Sequence, residues 1–464
     1  MENIKTERRE FWKLLMSLAL PIAFQHLLIN SLTFVDTWFM SQLGDVALAA
    51  SGMAFQWNWL LNMITFGLCS GSALFIAQYW GAGQTENIRK TCKIAAATAL
   101  VAALIFMIGA LSFPSDIMRI FNRNADVVRT GSDYLRILAF AYPATALSSV
   151  LSTVLRSTER VKLPMIASGI STFINIILDY AMIFGKFGFP EMGVEGAALA
   201  TAISAWIGLV LLVGISIYQK NIIVMPMGKY LDFKFTDYKK FMVKASPVII
   251  NELLWGLGTV CNNAIYSNTG HENFAACTIL RTVESMCLIL FIGLNDGGAV
   301  IVGKTIGEGN YDKAYRSSKR LLWSTPLISA VLAVIVIAFR EKVVYLFNMS
   351  GNITEQTVAV ARTIIVIYAA ELCFRNIPYT MICAIFRSGG DSFTGAKLDI
   401  VSLWFLAIPA TFVAAFLLKF PFPAVLLTEY LIEDIPKCIM CFRHFKTRKW
   451  IKPVGDFSVA NLSE

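Results

Sequence analysis

The chain has 464 residues, of which 56% are hydrophobic and only 15% are charged, and its formal net charge is +9. Soluble domains carry about 25% charged residues, so this composition excludes a water-soluble globule. The 40 Lys and Arg residues are spread over many short segments. This spread argues against a nucleic-acid-binding face and is typical of the cytoplasmic loops of a membrane protein.

Apolar runs of twenty or more residues alternate with short polar breaks, a pattern typical of transmembrane helices. We predict twelve such helices. Several exceed the length that spans hydrocarbon, so we expect them to project beyond the bilayer or to bend at Pro21, Pro143, Pro247 and Pro378. In chain order the twelve helices cover residues 13–40, 46–80, 92–114, 131–155, 163–185, 194–219, 240–267, 273–304, 318–339, 357–386, 396–418 and 421–442. Most Lys and Arg then fall on the side of the N-terminus, so both termini are predicted to be cytoplasmic.

The second half of the chain repeats the first at an offset of 226 residues. The matched pairs include Pro21 with Pro247, Gly67 with Gly293, Gly71 with Gly297, and Gly81 with Gly307. Glycine and proline have specific backbone roles, so their coincidence predicts two six-helix lobes related by a pseudo-twofold axis along the membrane normal. The predicted domains are an N-terminal lobe at 1–220, a cytoplasmic linker at 221–238, and a C-terminal lobe with a basic tail at 239–464.

Two carboxylates lie inside predicted helices of the first half with no Lys or Arg within one helical turn. They are Asp36 and Asp179; Asn175 lies one turn before Asp179, and Thr201 adds a hydroxyl in the next helix. Two carboxylates close together in a low dielectric retain one proton readily, and the same oxygen ligands also suit a sodium ion. The pattern predicts a proton or sodium site; the alternative is that these side chains lie near helix ends and face water.

The second half has more charges inside its predicted helices. The spacing of Arg281 with Glu284 and of Glu371 with Arg375 predicts local ion pairs. Glu252 has no local cation, so a substrate or cation role competes with an interhelical pair to Arg281.

Motifs of common enzyme chemistry are absent from the sequence, since there is no HExxH and no GxSxG. The spacing GxxxxGK[ST] occurs at 298–305 as GAVIVGKT, but there it ends the apolar run predicted as a helix at 273–304 and does not form a Gly-rich phosphate loop between a strand and a helix. We therefore expect a protein that is not an enzyme, that has no cofactor, and that draws on an ion gradient of H⁺ or Na⁺.

Several segments resemble the multidrug and toxic compound extrusion (MATE) family of transporters. They are ALPIAFQHLLINSLTFVDTWFMSQLGDVALAA, GSALFIAQYWGAG, LRSTERVKLPM, NIILDYAMIFGKFGFPEMGVEGAALATAIS, PVIINELLWGLG, GKTIGEG and FRSGGD, in this order along the chain. The aspartate in the fifth predicted helix, with asparagine four residues before it, is most similar to the DinF-like branch.

The resemblance implies roles for particular residues. The cation site of the family's N-terminal lobe is matched here by Asp36, Asn175, Asp179 and Thr201. The resemblance implies that these residues bind no metal ion other than Na⁺. The helix containing Pro21 is expected to bend when that site changes protonation. Glu252 and Asn376 correspond to positions of a substrate or cation site in the C-terminal lobe, although Asn376 stands where a related branch has aspartate.

The resemblance also implies a function. We expect a monomeric antiporter of the bacterial inner membrane that exports organic, cationic compounds in exchange for H⁺ or Na⁺ and binds lipid but no nucleic acid. One alternative is a flippase of the same superfamily that moves a lipid-linked or amphiphilic substrate. An alternative of another class is a membrane receptor or channel.

Overall fold

A computed structural model describes residues 2–222, 234–347 and 354–454 of the chain. Over these residues every regular element is helical, and twelve helices are long. Ten of the twelve are long and apolar enough to cross a membrane. The all-α membrane fold is thereby confirmed, with one long helix at each of the twelve predicted positions.

The first six long helices are α1 (Glu2–Gln42), α2 (Asp45–Gly81), α3 (Thr85–Ser112), α4 (Ala125–Ser157), α5 (Lys162–Ile183) and α6 (Gly193–Tyr218). A short helix, Pro114–Phe121, connects α3 to α4. The next six are α7 (Phe235–Ser267), α8 (His271–Gly307), α9 (Tyr311–Phe347), α10 (Glu355–Phe386), α11 (Ser392–Leu417) and α12 (Phe422–Lys446).

Several helices extend beyond the apolar runs that predict them. Helix α1 begins at Glu2 and α9 at Tyr311, in both cases before the predicted start. Charged side chains continue these helices without interrupting them, because a helix can leave the hydrocarbon layer and keep its polar residues in water. Apolar periodicity therefore locates the membrane-spanning part better than the helix ends.

The predicted bends have different outcomes at different prolines. Helices α1 and α7 continue as α-helix through Pro21 and Pro247. Pro143 instead follows a 3-10 turn, and Pro378 lies just before a π-helical segment, Met381–Phe386. A proline removes a backbone donor, so such local changes of helix type are expected beside it.

Contacts between residues divide the chain into two units. One unit contains residues 20–249, and the other contains residues 1–19 together with 250–464. The predicted lobes at 1–220 and 239–464 are defined by the sequence repeat, whereas the two units are defined by contacts between residues. The lobes therefore stay a prediction. Of the predicted linker at 221–238, residues 223–233 lie outside the described part of the chain.

Matched glycines of the repeat make the same kind of close contact inside each unit. A Cβ atom built on Gly71 of α2 would lie 2.8 Å from the Cβ atom of Ala245 in α7. One built on Gly297 of α8 would lie 3.2 Å from the backbone nitrogen of Ala19 in α1. Ala19 and Ala245 are themselves 226 residues apart, so the two units use the repeat in the same way: the second helix packs closely on a first helix.

The segment after α12 folds back onto the loop between α10 and α11. Trp450 is fully buried, and its indole nitrogen donates to the carbonyl of Phe445 at 3.2 Å. The backbone nitrogen of Lys452 donates to the carbonyl of Gly389 at 2.7 Å. Gly390 has a φ of +93°, and a side chain there would meet the Lys452 carbonyl. The glycines of the FRSGGD motif thus make room for this C-terminal segment.

Asp391 holds the same segment by charge. Its two carboxylate oxygens accept from Lys452 Nζ and His444 Nε2, each at 2.8 Å, and one also accepts from Thr394. Burial alone raises the pKa of Asp391, but the hydrogen bonds from Lys452, Thr394 and His444 lower it by more, so its pKa lies below the ordinary value. The carboxylate therefore stabilises this packing above pH ~4, and the contribution is lost as the pH falls through the lowered pKa.

We predict that Gly71→Ala destabilises the protein, whereas Gly52→Ala in the same helix does not. The new methyl group at residue 71 overlaps Ala245, which costs about 1–3 kcal/mol, while nothing lies within 4 Å of a Cβ at Gly52. The thermal unfolding temperature of the purified protein measures the difference. Equal unfolding temperatures for the two variants would contradict the close α2–α7 contact.

We predict that Asp391→Asn exposes the C-terminal segment to protease. The amide cannot balance Lys452, so trypsin should cut the segment after α12 several times faster than in the wild type. Asp312→Asn is the control, because Asp312 is exposed and its ion pair among the described residues is with Arg448 of this segment, at 2.8 Å. Equal cleavage rates in both variants would show that Asp391 does not anchor the segment.

Candidate cation-coupling site

Two aspartates meet inside the unit formed by residues 20–249. The carboxyl groups of Asp36 from α1 and Asp179 from α5 lie in hydrogen-bonding contact. The Asp179 side chain is almost fully buried, and neither carboxyl forms an ion pair with Lys or Arg of the described residues. Two ionised carboxylates repel each other at this distance, so the contact needs a proton or another cation between them.

Asn175 orients one of the two aspartates. In the amide orientation that satisfies the surrounding groups, its nitrogen donates to Asp179 Oδ2 at 2.9 Å. Its oxygen accepts from the backbone nitrogen of Thr201 and from Ser204 Oγ, both at 3.2 Å. The α5 helix is thereby tied to α6 at the level of the acidic pair.

The structure brings together all four residues predicted for this site, with one difference in detail. Thr201 contributes its backbone nitrogen to the contact with Asn175, whereas the sequence interpretation assigned its hydroxyl. Pro21 lies in α1 fifteen residues before Asp36, a distance of about 22 Å along a helix. Pro21 therefore does not lie beside the pair, and any influence of Pro21 on the pair must pass along α1.

Sequence reasoning missed two residues of the site. Ser204 contacts Asn175, and Tyr134 from α4 lies close enough to interact electrostatically with both Asp36 and Asp179. One oxygen of each aspartate, Oδ1, is closed to solvent and has no N–H or hydroxyl partner among the described residues. Tyr134 has no sequence spacing that relates it to either aspartate; only the packing of α4 identifies it.

Glu252, the first predicted residue of the C-terminal site, is held by an arginine. Its carboxylate lies 2.7 Å from Arg387 Nη2, and both side chains are largely buried. The predicted pairing of Glu252 with Arg281 of α8 was wrong, because the guanidinium comes from Arg387, directly after the end of α10. This contact favours the ion-pair interpretation of Glu252 over a free carboxylate.

Asn376, the second predicted residue, is held by its neighbours in α9 and α10. Its amide nitrogen donates to Ser329 Oγ at 3.3 Å and to the Leu372 carbonyl at 2.8 Å. These bonds tie α10 to α9 and do not involve Glu252. The structure thus does not bring the two predicted C-terminal residues into contact through any hydrogen bond of the described residues.

The local ion pairs predicted in the second half are also replaced by contacts between helices. Arg375 lies 3.5 Å from Glu284 of α8, and Tyr430 of α12 donates to the same carboxylate at 2.9 Å. Glu371, predicted to pair with Arg375, has its side chain in hydrogen-bonding contact with Asp434. Helical spacing identified these charged residues correctly but not their partners.

Helix α12 supplies a group of charges that sequence reasoning did not single out. Lys437 Nζ lies 2.6 Å from Glu433 and 2.9 Å from Asp399, and Asn251 donates to the same Asp399 at 3.1 Å. The signal was present in the sequence, since the predicted helix at 421–442 contains EYLIEDIPK. Most acids of this unit thus have a basic partner, whereas the pair Asp36 and Asp179 has none among the described residues.

Comparison with known proteins agrees with this arrangement. The MatE family matches residues 21–181 and 247–413, two segments that begin 226 residues apart, as the repeat does. A probable multidrug resistance protein NorM of Thermotoga maritima is 27% identical, covering 88% of this chain and 87% of its own. A probable multidrug resistance protein YoeA of Bacillus subtilis is 26% identical over 88% of both chains.

The fold is also found among solved structures. The Vibrio cholerae MATE transporter VcmN in its bent form has a TM-score of 0.86 and 16% sequence identity, covering 96% of this chain and all of its own. The chain belongs to the MatE family of membrane transporters. It is therefore a multi-pass transporter that exports compounds, and not an enzyme; its place in the DinF-like branch stays a prediction.

We predict that the buried pair of Glu252 and Arg387 is structural. Arg387→Met should destabilise the protein by about 3–5 kcal/mol, because it leaves a buried carboxylate without its partner. The double variant Glu252→Leu with Arg387→Met should recover part of this loss. Thermal unfolding of the single and double variants measures the coupling.

Glu341 and Arg362 offer a matched control for this cycle. They also lie within ion-pair distance, 2.9 Å, but both side chains are half exposed, so their coupling should be at most about 1 kcal/mol. A coupling for Glu252 and Arg387 no larger than that of this exposed pair would contradict the structural assignment.

Proposed function

We propose that the protein exports organic, cationic compounds in exchange for an inward-moving ion and that Asp36 with Asp179 carries the exchange. The observation that carries this proposal is the direct contact between the buried carboxyl of Asp179 and the partly buried carboxyl of Asp36, neither of which forms an ion pair with Lys or Arg of the described residues. Such a pair changes its charge whenever it gains or loses a cation. A conformational change in which the pair moves between two environments would couple the ion gradient to substrate release.

The geometry supports H⁺ over Na⁺ as the coupling ion. Asn175 presents its nitrogen to Asp179, while its oxygen is turned to Thr201 and Ser204. A sodium ion takes oxygen ligands, so this orientation removes one ligand from a sodium site and suits a pair that holds a proton. Protonation of the pair removes a repulsion between α1 and α5, and the residue in α1 that can absorb the resulting movement is Pro21.

The proposal also covers the substrate, the membrane orientation and the number of copies of the chain that form the site. Two related multidrug resistance proteins indicate small organic substrates, and a cationic substrate would compete with the proton for the same carboxylates. The excess of Lys and Arg on the side of the N-terminus supports cytoplasmic termini in an inner membrane. We propose that a single copy of the chain carries the complete site, since all of its ligands come from one unit.

We predict that Asp36→Asn abolishes export while the protein still folds. An amide cannot exchange a proton, so the pair loses its dependence on the gradient. The test is efflux of a fluorescent cationic dye from proteoliposomes under an imposed pH gradient, compared with an imposed Na⁺ gradient. The expected result is efflux driven by the pH gradient in the wild type and at least a tenfold loss in the variant.

Asp45→Asn is the matched control, because Asp45 is an exposed aspartate at the start of α2. It should keep wild-type efflux and the same yield of folded protein. Normal dye efflux by Asp36→Asn would contradict the role of the pair. Gradient-driven movement of a labelled lipid, with no dye efflux by the wild type, would instead favour a flippase, and a passive current would favour a channel.

A further inference from the structure

An arginine-rich cavity lies between the short helix Pro114–Phe121 and the beginning of α4. Its volume is about 530 Å³, which is within the usual range for small-molecule sites. The charged side chains that line it are Arg119, Arg123, Arg129, Arg136 and Asp133. Four arginines thus face one carboxylate in a single concave surface, which concentrates a positive potential.

Two of these arginines are not engaged by acids of the described residues. Arg119 lies 3.5 Å from Asp116, and Arg136 lies 3.6 Å from Asp133, both in exposed pairs that contribute little. Arg123 and Arg129 form no ion pair with the acids in the described ranges. Their guanidinium groups are exposed and free to bind an anion from outside the protein.

The position of this cavity runs against the charge pattern of the rest of the chain. With the N-terminus in the cytoplasm, three transmembrane helices place the α3–α4 connection on the outer side, where Lys and Arg are disfavoured. Four arginines in this one connection and the helix start after it therefore depart from the charge bias expected of an outer loop. A function outside the membrane, such as anion binding, accounts for them.

Large apolar side chains flank the arginines. Ile120 is 75% exposed and Phe113 is 61% exposed, whereas Ile117 and Met118 of the same short helix are buried. A short helix that exposes both apolar and arginine side chains is typical of the membrane–water interface. Phosphate groups are concentrated at this depth, and arginine binds them with two parallel hydrogen bonds.

We propose that this arginine cavity is a binding site for a phosphate-bearing anion. Arg123 and Arg129 provide the main contacts, and Arg119 and Arg136 complete the positive wall. The phosphate group belongs either to a phospholipid headgroup of the outer leaflet or to a soluble phosphate compound. The cavity lining contains none of the residues of the acidic pair, so the binding test below can fail or succeed separately from the proposed transport function.

The test uses the full-length protein purified in a mild detergent. Thermal unfolding is measured with added phosphatidylglycerol, with added phosphatidylcholine, and with inorganic phosphate alone. We expect a phosphate anion to stabilise the wild type and its apparent affinity to fall about tenfold in the double variant Arg123→Gln/Arg129→Gln. The variant Arg340→Gln/Lys342→Gln, which removes two exposed charges outside the cavity, should respond like the wild type.

The pattern of responses identifies the source of the phosphate. Stabilisation by phosphatidylglycerol that inorganic phosphate does not displace supports a lipid site. Stabilisation by inorganic phosphate that is lost in Arg123→Gln/Arg129→Gln supports a soluble phosphate compound. The proposal is overturned if no phosphate anion stabilises the wild type or if the cavity variant responds as the wild type does.

A second variant covers the case in which the first does not fold. Arg123→Lys/Arg129→Lys keeps both charges but loses the planar fork of the guanidinium. We expect it to keep the folded yield and to bind the phosphate anion several times more weakly than the wild type. Wild-type affinity in the lysine variant, with unchanged salt dependence, would show that no arginine geometry is used and would overturn the site.

Discussion

A carboxylic acid inside a membrane protein needs a proton, a cation or a donor, because the hydrocarbon layer offers no water to solvate its charge. Asp36 and Asp179 meet this requirement with each other. Asn175 supplies one donor to the pair, which leaves the remaining charge to be balanced by something that enters from solution. The other polar residues around the pair can be understood as the support that keeps these two groups in contact.

The unit that contains residues 250–464 solves the same problem differently. Glu284, Glu252 and Asp399 pair with Arg375, Arg387 and Lys437, and these ion pairs join α7, α8, α10, α11 and α12. The one acid–acid contact described for this unit, Glu371 with Asp434, has Lys437 3.8 Å from Asp434. An acid balanced by an arginine has little reason to bind a cation from solution, since its charge is already compensated. The two halves of the repeat therefore share a backbone plan but differ in their electrostatics, and this difference supports the proposal that ion exchange takes place in the first half.

Sequence reasoning was most successful where local information is sufficient. The number of helices follows from apolar runs, and the acidic pair could be singled out because neither aspartate has a cation within one turn. Ser204 and Tyr134 could not be found, since their proximity depends on how α4, α5 and α6 pack. The error at Glu252 has the same origin: Arg281 and Arg387 are equally plausible in sequence, and only helix packing selects Arg387.

The grouping of residues 1–19 with 250–464 has a consequence for biosynthesis. The ribosome makes the start of α1 first, but its packing partners, such as Gly297, emerge almost three hundred residues later. Domains commonly fold in the order in which they are synthesised. In this chain the start of α1 cannot complete its packing in that order, because its partners are made later. The start of α1 must wait in the membrane until α8 has been inserted, so a nascent chain released early would leave its first helix without a partner.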